Sequence, residues 1–282
     1  MKKWQTCLLV FIFLAGLSLL LYPAVSDYWN SLRQSRLVAD YMQSVSELQD
    51  SRKTAFFEEA NNYNQELRKY PLHFVLSESE QEEYENTLDV SGTGVMGYLE
   101  VPKIGVSLPI YHSTEETVLE FAIGHLPGTS LPVGGESTHS VLTGHTGLPS
   151  ARLLTDLDEM EIGDIFFIQI MDETLTYEVD QIRKVLPEKT DELAVVEGED
   201  LCTLVTCTPY GINTHRLLVR GHRIETKQEN IMHFSADALQ IDPMIVIPFL
   251  AAPVLLLIFI LVMVRPTKKK ISIKHTGSHF PD

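Results

Sequence analysis

Residues 203–221 have the sequence Thr203-Leu204-Val205-Thr206-Cys207-Thr208-Pro209-Tyr210-Gly211-Ile212-Asn213-Thr214-His215-Arg216-Leu217-Leu218-Val219-Arg220-Gly221. The β-branched residues at its start predict a strand that ends at Cys207. The Pro-Tyr-Gly-Ile-Asn segment predicts a loop, followed by a second strand that begins at His215. Because side chains alternate along a strand, Thr203, Val205 and Cys207 are expected on one face. The pattern therefore predicts a thiol at the end of a strand, beside a loop, where a substrate can reach it.

A histidine and an arginine accompany this thiol. The upstream segment Leu142-Thr143-Gly144-His145-Thr146-Gly147-Leu148-Pro149 contains a histidine in a predicted loop framed by glycines, and Arg216 follows the loop after Cys207. A thiol is the strongest nucleophile among the side chains once it ionises, so its neighbours matter. Cys207, His145 and Arg216 together would supply a nucleophile, a proton carrier and a fixed positive charge.

These segments resemble a known family. Residues 203–207 are similar to the sortase pattern Thr-Leu-x-Thr-Cys. The following Thr-Pro-Tyr-Gly-x-Asn-x-His-Arg-Leu-Leu-Val-Arg-Gly resembles the class C, pilin-polymerising branch of the sortases. The His145 segment and Gly124-His125-Leu126-Pro127-Gly128-Thr129-Ser130-Leu131-Pro132 are similar to that branch as well. The resemblance extends from about residue 97 to residue 223.

Short predicted strands, interrupted by Gly and Pro, begin at Met96. They cover residues 97–102, 106–111, 140–142, 164–171 and 175–179, and short helices are predicted over 117–122 and 153–157. Frequent turns between short strands favour a β-barrel or a β-sandwich. The resemblance implies a mainly-β fold, namely the closed sortase β-barrel of about eight strands with N-terminal helices and flanking short helices.

The resemblance also implies a reaction. Cys207 would attack the threonine carbonyl of a sorting signal similar to Leu-Pro-x-Thr-Gly, break the Thr–Gly bond and hold the acyl group as a thioester. A lysine amine of another pilin subunit would then displace the enzyme, so pilin subunits are the expected partners. His145 would act as general acid and base, and Arg216 would hold the carbonyl and its oxyanion. Thr206 is a weaker candidate for a substrate contact. No cofactor, metal ion or orienting carboxylate is assigned.

Other residues of the same types have plainer interpretations. Arg220 lies an even number of residues from Arg216 and shares its face, so it stays a competitor, whereas Arg223 is expected on the surface. Cys202 is expected to be a small buried hydrophobic residue that points away from Cys207. The histidines that compete with His145 are His125, His139, His215 and His222. Of these, His125 is expected to be structural, and His215 is expected to point to the opposite strand face from Arg216.

Four other functions compete with pilin polymerisation. A hydrolytic cysteine peptidase would resolve the thioester with water, and a wall-anchoring sortase would use a wall-peptide or lipid-linked amine at the same site. An L,D-transpeptidase is disfavoured by the Thr-Leu-x-Thr-Cys and Pro-Tyr-Gly context. A non-enzymatic adhesin would not need a free thiol beside such a histidine and arginine.

Two apolar runs predict membrane-spanning helices. Residues 4–25 form a run of 22 residues without a charge after two lysines, and residues 244–264 form a run of 21 before an arginine and three lysines. A bilayer is crossed by about 20 such residues. The basic flanks predict that both termini are cytoplasmic and that residues 26–243 are extracytoplasmic, so membrane lipid is a second expected partner. A cleavable signal peptide is the alternative for the first run.

The runs also suggest domain boundaries. The predicted segments are an N-terminal anchor (1–25), a helical spacer with a possible atypical lid (26–93), the catalytic barrel (94–226), a linker (227–243), the second span (244–264) and a basic cytoplasmic tail (265–282). Class C sortases often carry an Asp-Pro-aromatic tripeptide in a lid before the barrel. Residues 72–93 lack it, so a lid of another form and an open site stay as alternatives.

Charge and cysteine usage narrow the possible partners. Residues 26–243 contain 15 basic and 37 acidic residues, a net charge near −22. This charge argues against binding of nucleic acid or an anionic wall polymer by charge alone. Of the three cysteines, Cys7 lies in the first apolar run, and Cys202 and Cys207 lie on opposite faces of one predicted strand. No disulfide is therefore expected, and the sequence does not indicate an oligomeric state.

Overall fold

The computed structural model describes residues 3–227 and 255–256, and the chain divides into two units, residues 1–241 and 242–282. In the second unit only Leu255 and Leu256 are described, and both are helical. The predicted span at 244–264 therefore lies outside the described residues apart from this pair. The predicted linker beyond Lys227 and the basic tail lie outside them as well.

The N-terminal part of the chain is helical. Helix α1 (Lys3–Glu47) is followed by α2 (Asp50–Leu67) and α3 (Glu78–Asn86), and α4 (Glu116–Leu119) lies between barrel strands. A capping box starts α3, because the Ser77 side chain accepts from Glu80 N while the Glu80 side chain accepts from Ser77 N. The apolar part of α1 is long and hydrophobic enough to cross a membrane by length and composition. α1 includes Pro23 and continues without a break beyond the apolar run.

Eight strands form a closed barrel in the order β1-β2-β3-β4-β7-β8-β6-β5. The strands are β1 (Val95–Val101), β2 (Val106–His112), β3 (Ile123–His125), β4 (Thr138–Thr143), β5 (Ile165–Ile170), β6 (Glu173–Val185), β7 (Asp200–Thr208) and β8 (His215–Ile224). The pairs β2–β3 and β4–β7 are parallel, and the other neighbouring pairs are antiparallel. The predicted mainly-β closed barrel of about eight strands with N-terminal helices is confirmed.

The two faces of β7 have different surroundings. Cys202 and Leu204 point into the main core of the barrel, where Leu99, Ile110 and many other apolar side chains are buried. On the opposite face, Val205 joins a separate group that we name the outer cluster: Val141, Leu193, Val205 and Leu218. The alternation predicted for residues 203–207 is thus present, and Cys207 follows Val205 on the outer face.

The structure differs from the sequence-based predictions in two segments, and tertiary contacts account for both differences. The helix predicted over 153–157 is instead a turn that leads into a short 3-10 helix, Leu157–Glu159. Here Leu154 N donates to His145 O at 3.2 Å, so a bond across the loop that follows β4 takes the place of a helical one. The strand predicted over 175–179 extends to Val185, because β6 continues its pairing with β8 beyond its pairing with β5.

Barrel closure depends on the seam between β1 and β5. Gly97 lies on β1 beside a register shift, and a Cβ at this position would lie 2.2 Å from Gln169 O and 2.6 Å from Ile170 Cδ1. We therefore expect Gly97→Ala to push β1 away from β5 and to lower the free energy of unfolding by about 1–3 kcal/mol, the usual cost of overpacking. Chemical denaturation measures this change. Ser107→Ala, on an exposed position of β2, is the matched control, and equal stability of the two variants would contradict the close approach.

Candidate active site

The candidate nucleophile and the candidate arginine lie opposite each other on neighbouring strands. Cys207 on β7 is the antiparallel partner of Arg216 on β8, across the loop 209–214. Directly opposed side chains in such a pair have Cβ atoms about 4.5–5.5 Å apart. Cys207 is a free, half-buried cysteine. The strand pairing therefore brings the thiol and the guanidinium to one rim of the barrel.

The candidate histidine reaches the same rim through the parallel pair β4–β7. Thr143 is the partner of Val205, and the ladder continues for one more bond, in which Gly144 N donates to Val205 O at 3.1 Å. Thr206 Oγ1 then donates to Gly144 O at 2.8 Å. One further step along this register brings His145 level with Cys207, and neighbouring strands are about 4.8 Å apart. The structure thus brings all three predicted catalytic residues together.

The hydroxyl of Thr206 is engaged inside the protein. Its side chain is buried, with 3% of its surface exposed, and its hydrogen bond to Gly144 O ties β7 to the start of the histidine loop. The substrate contact predicted for Thr206 stays a prediction. The geometry supports a contribution of Thr206 to the position of His145, because its hydrogen bond holds Gly144, the residue that precedes this histidine.

A carboxylate that the sequence analysis did not assign contacts the histidine. His145 Nε2 lies 3.2 Å from Glu116 Oε1, at the start of α4. The His145 side chain is 24% exposed and the Glu116 side chain 72% exposed, so water competes for this contact. Glu116 is 29 positions before His145 in the chain, and no local motif joins the two, so only the fold could reveal the contact.

The two neighbouring arginines of β8 differ in their partners. Arg216 Nη1 donates to the carbonyl oxygens of Asn213 (3.4 Å) and His215 (3.3 Å), and within residues 3–227 no carboxylate forms an ion pair with it. Arg220 instead donates to both carboxylate oxygens of Asp180, at 3.0 and 2.9 Å. Arg220 thus forms a bidentate ion pair within the protein. In the described part of the chain, the guanidinium of Arg216 contacts only carbonyl oxygens, so its charge is available to a bound substrate.

Burial separates the structural histidines and cysteine from the candidate catalytic ones. His125 is fully buried, donates from Nε2 to Ser130 O at 2.8 Å, and has its pKa lowered to about 3 by that burial. Burial also lowers the pKa of His139, whose Nδ1 donates to Ala194 O. Burial raises the pKa of the Cys202 thiol, which disfavours the nucleophilic thiolate. Cys202 and His125 are thus buried, as predicted, and His139 is held in a similar buried position.

The loop after Cys207 packs on the histidine loop. A Cβ at Gly147, whose φ is +75°, would lie 3.0–3.3 Å from ring atoms of Tyr210, so a larger residue would displace the ring. Tyr210 and Ile212 are otherwise 67% and 68% exposed. The Thr208–Pro209 peptide bond is cis. Two exposed apolar side chains therefore stand beside the candidate site.

The segment after α2 lies on the outer face that carries Cys207. Leu72 and Phe74 pack against the outer cluster, and a Cβ at Gly128 would lie 1.7 Å from His73 O. Next to this segment is a groove of about 460 Å³ whose lining includes Leu72, Gly128 and His139. A lid formed by residues 72–93 and a site without a lid both stay as predictions. Within residues 3–227 and 255–256, no group of three or more His, Cys, Asp or Glu side chains could hold a metal ion.

The eight-stranded barrel thus carries a thiol, an imidazole and a guanidinium at one rim. Comparison with known proteins identifies the family. The family described as Sortase domain matches residues 99–224. The chain is 47% identical to sortase C1 from Streptococcus agalactiae, whose crystal structure it matches with a TM-score of 0.67 over 68% of this chain and 100% of that chain. The chain belongs to the sortase family.

Two further comparisons agree with this assignment. A crystal structure of sortase C from Streptococcus pneumoniae, described in terms of pilin substrate specificity, is 40% identical and matches with a TM-score of 0.62 over 68% of this chain and 97% of that chain. Sortase D from Bacillus subtilis is 29% identical over 131 residues, which are 45% of this chain and 63% of that protein. The chain thus matches about three fifths of the length of such curated relatives. The class C structures are the more similar ones.

The contact between Glu116 and His145 predicts a measurable effect on catalysis. Glu116→Gln keeps the size of the side chain and removes its charge, so Nε2 of His145 loses its carboxylate partner. Exposed pairs contribute little, and we expect kcat/KM for a Leu-Pro-x-Thr-Gly-type peptide to fall about two- to fivefold. Glu120→Gln, on an exposed position just after the same helix, is the matched control. Equal kinetics of the two variants would show that the carboxylate does not assist His145.

The bond between Thr206 and Gly144 predicts a different effect. Thr206→Val removes the donor and leaves a buried carbonyl without its partner, so the free energy of unfolding should fall by about 1–3 kcal/mol. Thr206→Ser retains the hydroxyl and is the matched control. Peptide turnover at a temperature where both variants are folded should be lower for the valine variant, because the histidine loop loses its tie to β7. Wild-type turnover of Thr206→Val would contradict the positioning contribution.

Proposed function

We propose that this chain is a membrane-anchored cysteine transpeptidase that builds covalent pili. It cleaves the Thr–Gly bond of a Leu-Pro-x-Thr-Gly-like sorting signal and transfers the acyl group to a lysine amine of a pilin subunit. The observation that carries this proposal is the convergence of Cys207, His145 and Arg216 at one rim. The similarity to class C sortases supports the pilin substrate.

The first half of the reaction forms a thioester. The Cys207 thiolate attacks the threonine carbonyl carbon, and Arg216 stabilises the oxyanion of the tetrahedral intermediate with its permanent charge. His145 then donates a proton to the departing glycine amine as the carbon–nitrogen bond breaks. The products are a free glycine-terminal peptide and an acyl group on Cys207.

The second half transfers the acyl group. A lysine amine attacks the thioester carbonyl, His145 accepts the proton that the amine loses, and the carbon–sulfur bond breaks to restore the thiolate. A thioester retains the energy of the acyl bond, so the amide forms without ATP. Arg216 stabilises the second oxyanion in the same position as the first.

Two alternatives share this chemistry and differ in the acceptor. A hydrolytic peptidase uses water, and a wall-anchoring sortase uses an amine of a wall peptide or a lipid-linked precursor. Similarity to class C sortases, at 40–47% identity in the structures compared, favours a pilin lysine. An experiment therefore has to identify which acceptor, water or one of the amines, takes the acyl group.

Membrane anchoring is the second part of the proposal. The apolar run of α1 is the anchor, residues 26–243 lie outside the cytoplasm, and both termini lie inside it. This arrangement is supported by one apolar helix among the described residues and by the basic residues that flank both apolar runs. Membrane lipid and pilin subunits are the proposed partners.

A polymerisation assay tests the proposed reaction. Full-length protein in detergent is incubated with a pilin that carries both the sorting signal and its lysine, and products are separated on denaturing gels. We expect a ladder from the wild type. The variants Cys207→Ala, His145→Ala and Arg216→Ala should each lower the rate by about 100-fold or more, because each removes a group that acts on the reacting atoms.

Matched controls distinguish chemistry from loss of structure. Cys202→Ala, His215→Ala and Arg220→Lys change the same residue types nearby and should leave the ladder largely intact. Cleavage without a ladder when the lysine acceptor is present would favour the hydrolytic alternative. A ladder produced by Cys207→Ala would overturn the proposed nucleophile.

A further inference from the structure

Helix α1 has exposed Trp and Tyr side chains at both ends of its apolar run. Its apolar run of 22 residues is about 33 Å long at 1.5 Å per residue, close to the roughly 30 Å of a bilayer's hydrocarbon core. Trp4 at one end is 72% exposed, and at the other end Tyr22, Tyr28 and Trp29 are 57%, 47% and 70% exposed. Tyr and Trp are enriched where a helix crosses a membrane–water interface. The outer interface therefore falls at about residues 22–29 of α1.

Immediately after this interface, α1 is bound to the barrel. Asp27 Oδ1 accepts from Arg152 N at 2.8 Å, and Asn30 Nδ2 donates to Ser150 O at 2.7 Å. One turn later, Gln34 Nε2 donates to Phe121 O at 2.9 Å. These contacts hold the helix against the loops that surround one end of the barrel.

That end is the one that carries the candidate active site. Residues 150–152 belong to the same loop as His145, whose carbonyl accepts from Leu154 N at 3.2 Å. Strand β4 ends two residues before His145, and Cys207 is the second-last residue of β7, so both strands end there. The loop is thus bonded to α1 on one side and presents His145 on the other.

The rest of α1 runs to the opposite end of the barrel. Tyr41 Oη donates to Met96 O at 2.7 Å and accepts from Met171 N at 2.9 Å, next to the start of β1 and the end of β5. From Asp27 to Tyr41 the helix rises about 21 Å. Since α1 is unbroken, its apolar run projects beyond the active-site end and away from the opposite end.

We infer that the active-site end of the barrel lies on the outer surface of the lipid bilayer, with Tyr210 and Ile212 as its apolar contacts. This inference rests on the proposed anchoring by α1. Both side chains are largely exposed in the loop between β7 and β8, and Tyr210 packs on Gly147 of the loop that α1 holds at the interface. The acidic extracytoplasmic segment would be repelled by anionic lipid, so the contact is apolar rather than electrostatic.

Depth-dependent fluorescence quenching tests this orientation. The full chain with Cys7→Ser and Cys207→Ala receives one cysteine, either Ile212→Cys at the active-site end or Glu173→Cys at the opposite end, and an environment-sensitive dye. Cys202 is completely buried and will not react. In phosphatidylcholine vesicles with a headgroup-attached nitroxide, we expect quenching at position 212 to exceed that at 173 about threefold or more, since the opposite end stands about 20 Å further out.

Equal, weak quenching at both positions would overturn the inference and would leave Tyr210 and Ile212 as a surface for another protein. The anchor is checked separately by flotation of the vesicles at alkaline pH. Protein that does not float would overturn the proposed anchor and this inference with it. Protein that floats with position 212 unquenched would overturn the inference alone.

A lengthened helix gives an independent comparison. Seven helix-forming residues inserted between Val25 and Ser26 raise the barrel by about 10 Å and turn it by only about 20° relative to the anchor. Quenching at position 212 should then fall to a level between those of positions 212 and 173 in the protein without the insertion. In the same insertion with Cys207 retained, turnover of a soluble peptide should be unchanged, because no residue of the site is altered. Undiminished quenching at position 212 in the lengthened protein would contradict the orientation.

Discussion

The site depends on the parallel pairing of β4 with β7. This pairing places the loop after β4 beside the last residues of β7, and it is extended by two bonds at Gly144, one to Val205 and one from Thr206. The antiparallel pairing of β7 with β8 then adds Arg216 opposite Cys207. One strand thus aligns residues that are separated by about sixty positions along the chain. A slip of one residue in either pairing would turn a candidate catalytic side chain to the other face.

Burial gives chemically identical side chains different properties in this barrel. Cys202 and Cys207 lie on the same strand, but the first points into the apolar core, where burial raises its pKa, and the second lies half-buried on the outer face. His125 and His139 are likewise held by carbonyl groups in buried positions, whereas His145 meets Glu116 near solvent. The alternation of the strand therefore divides structural from reactive groups of the same type.

Helix α1 connects its apolar run to the candidate site more directly than a flexible linker would. Its polar contacts to residues 150–152 and its buried Tyr41 bind it to both ends of the barrel. A single continuous helix transmits orientation as well as position, because its hydrogen bonds leave little bending freedom along its length. Proposed anchoring by this helix would thus also orient the catalytic rim, which a disordered tether of equal length would leave free.

The sequence by itself determined the family, the class of fold and the positions of most strands along the chain, because β-branched runs, turn residues and the segment around Cys207 are local patterns. It also indicated Cys207, His145 and Arg216 as candidates, through their position beside predicted strand ends. Only the tertiary structure could pair Glu116 with His145, direct the Thr206 hydroxyl to Gly144, or convert residues 153–156 from a predicted helix into a turn. The first two contacts join residues 29 and 62 positions apart, and the turn includes a bond from Leu154 back to His145 in the same loop. Local propensity contains no information about these partners, because it depends only on the residues next to each position.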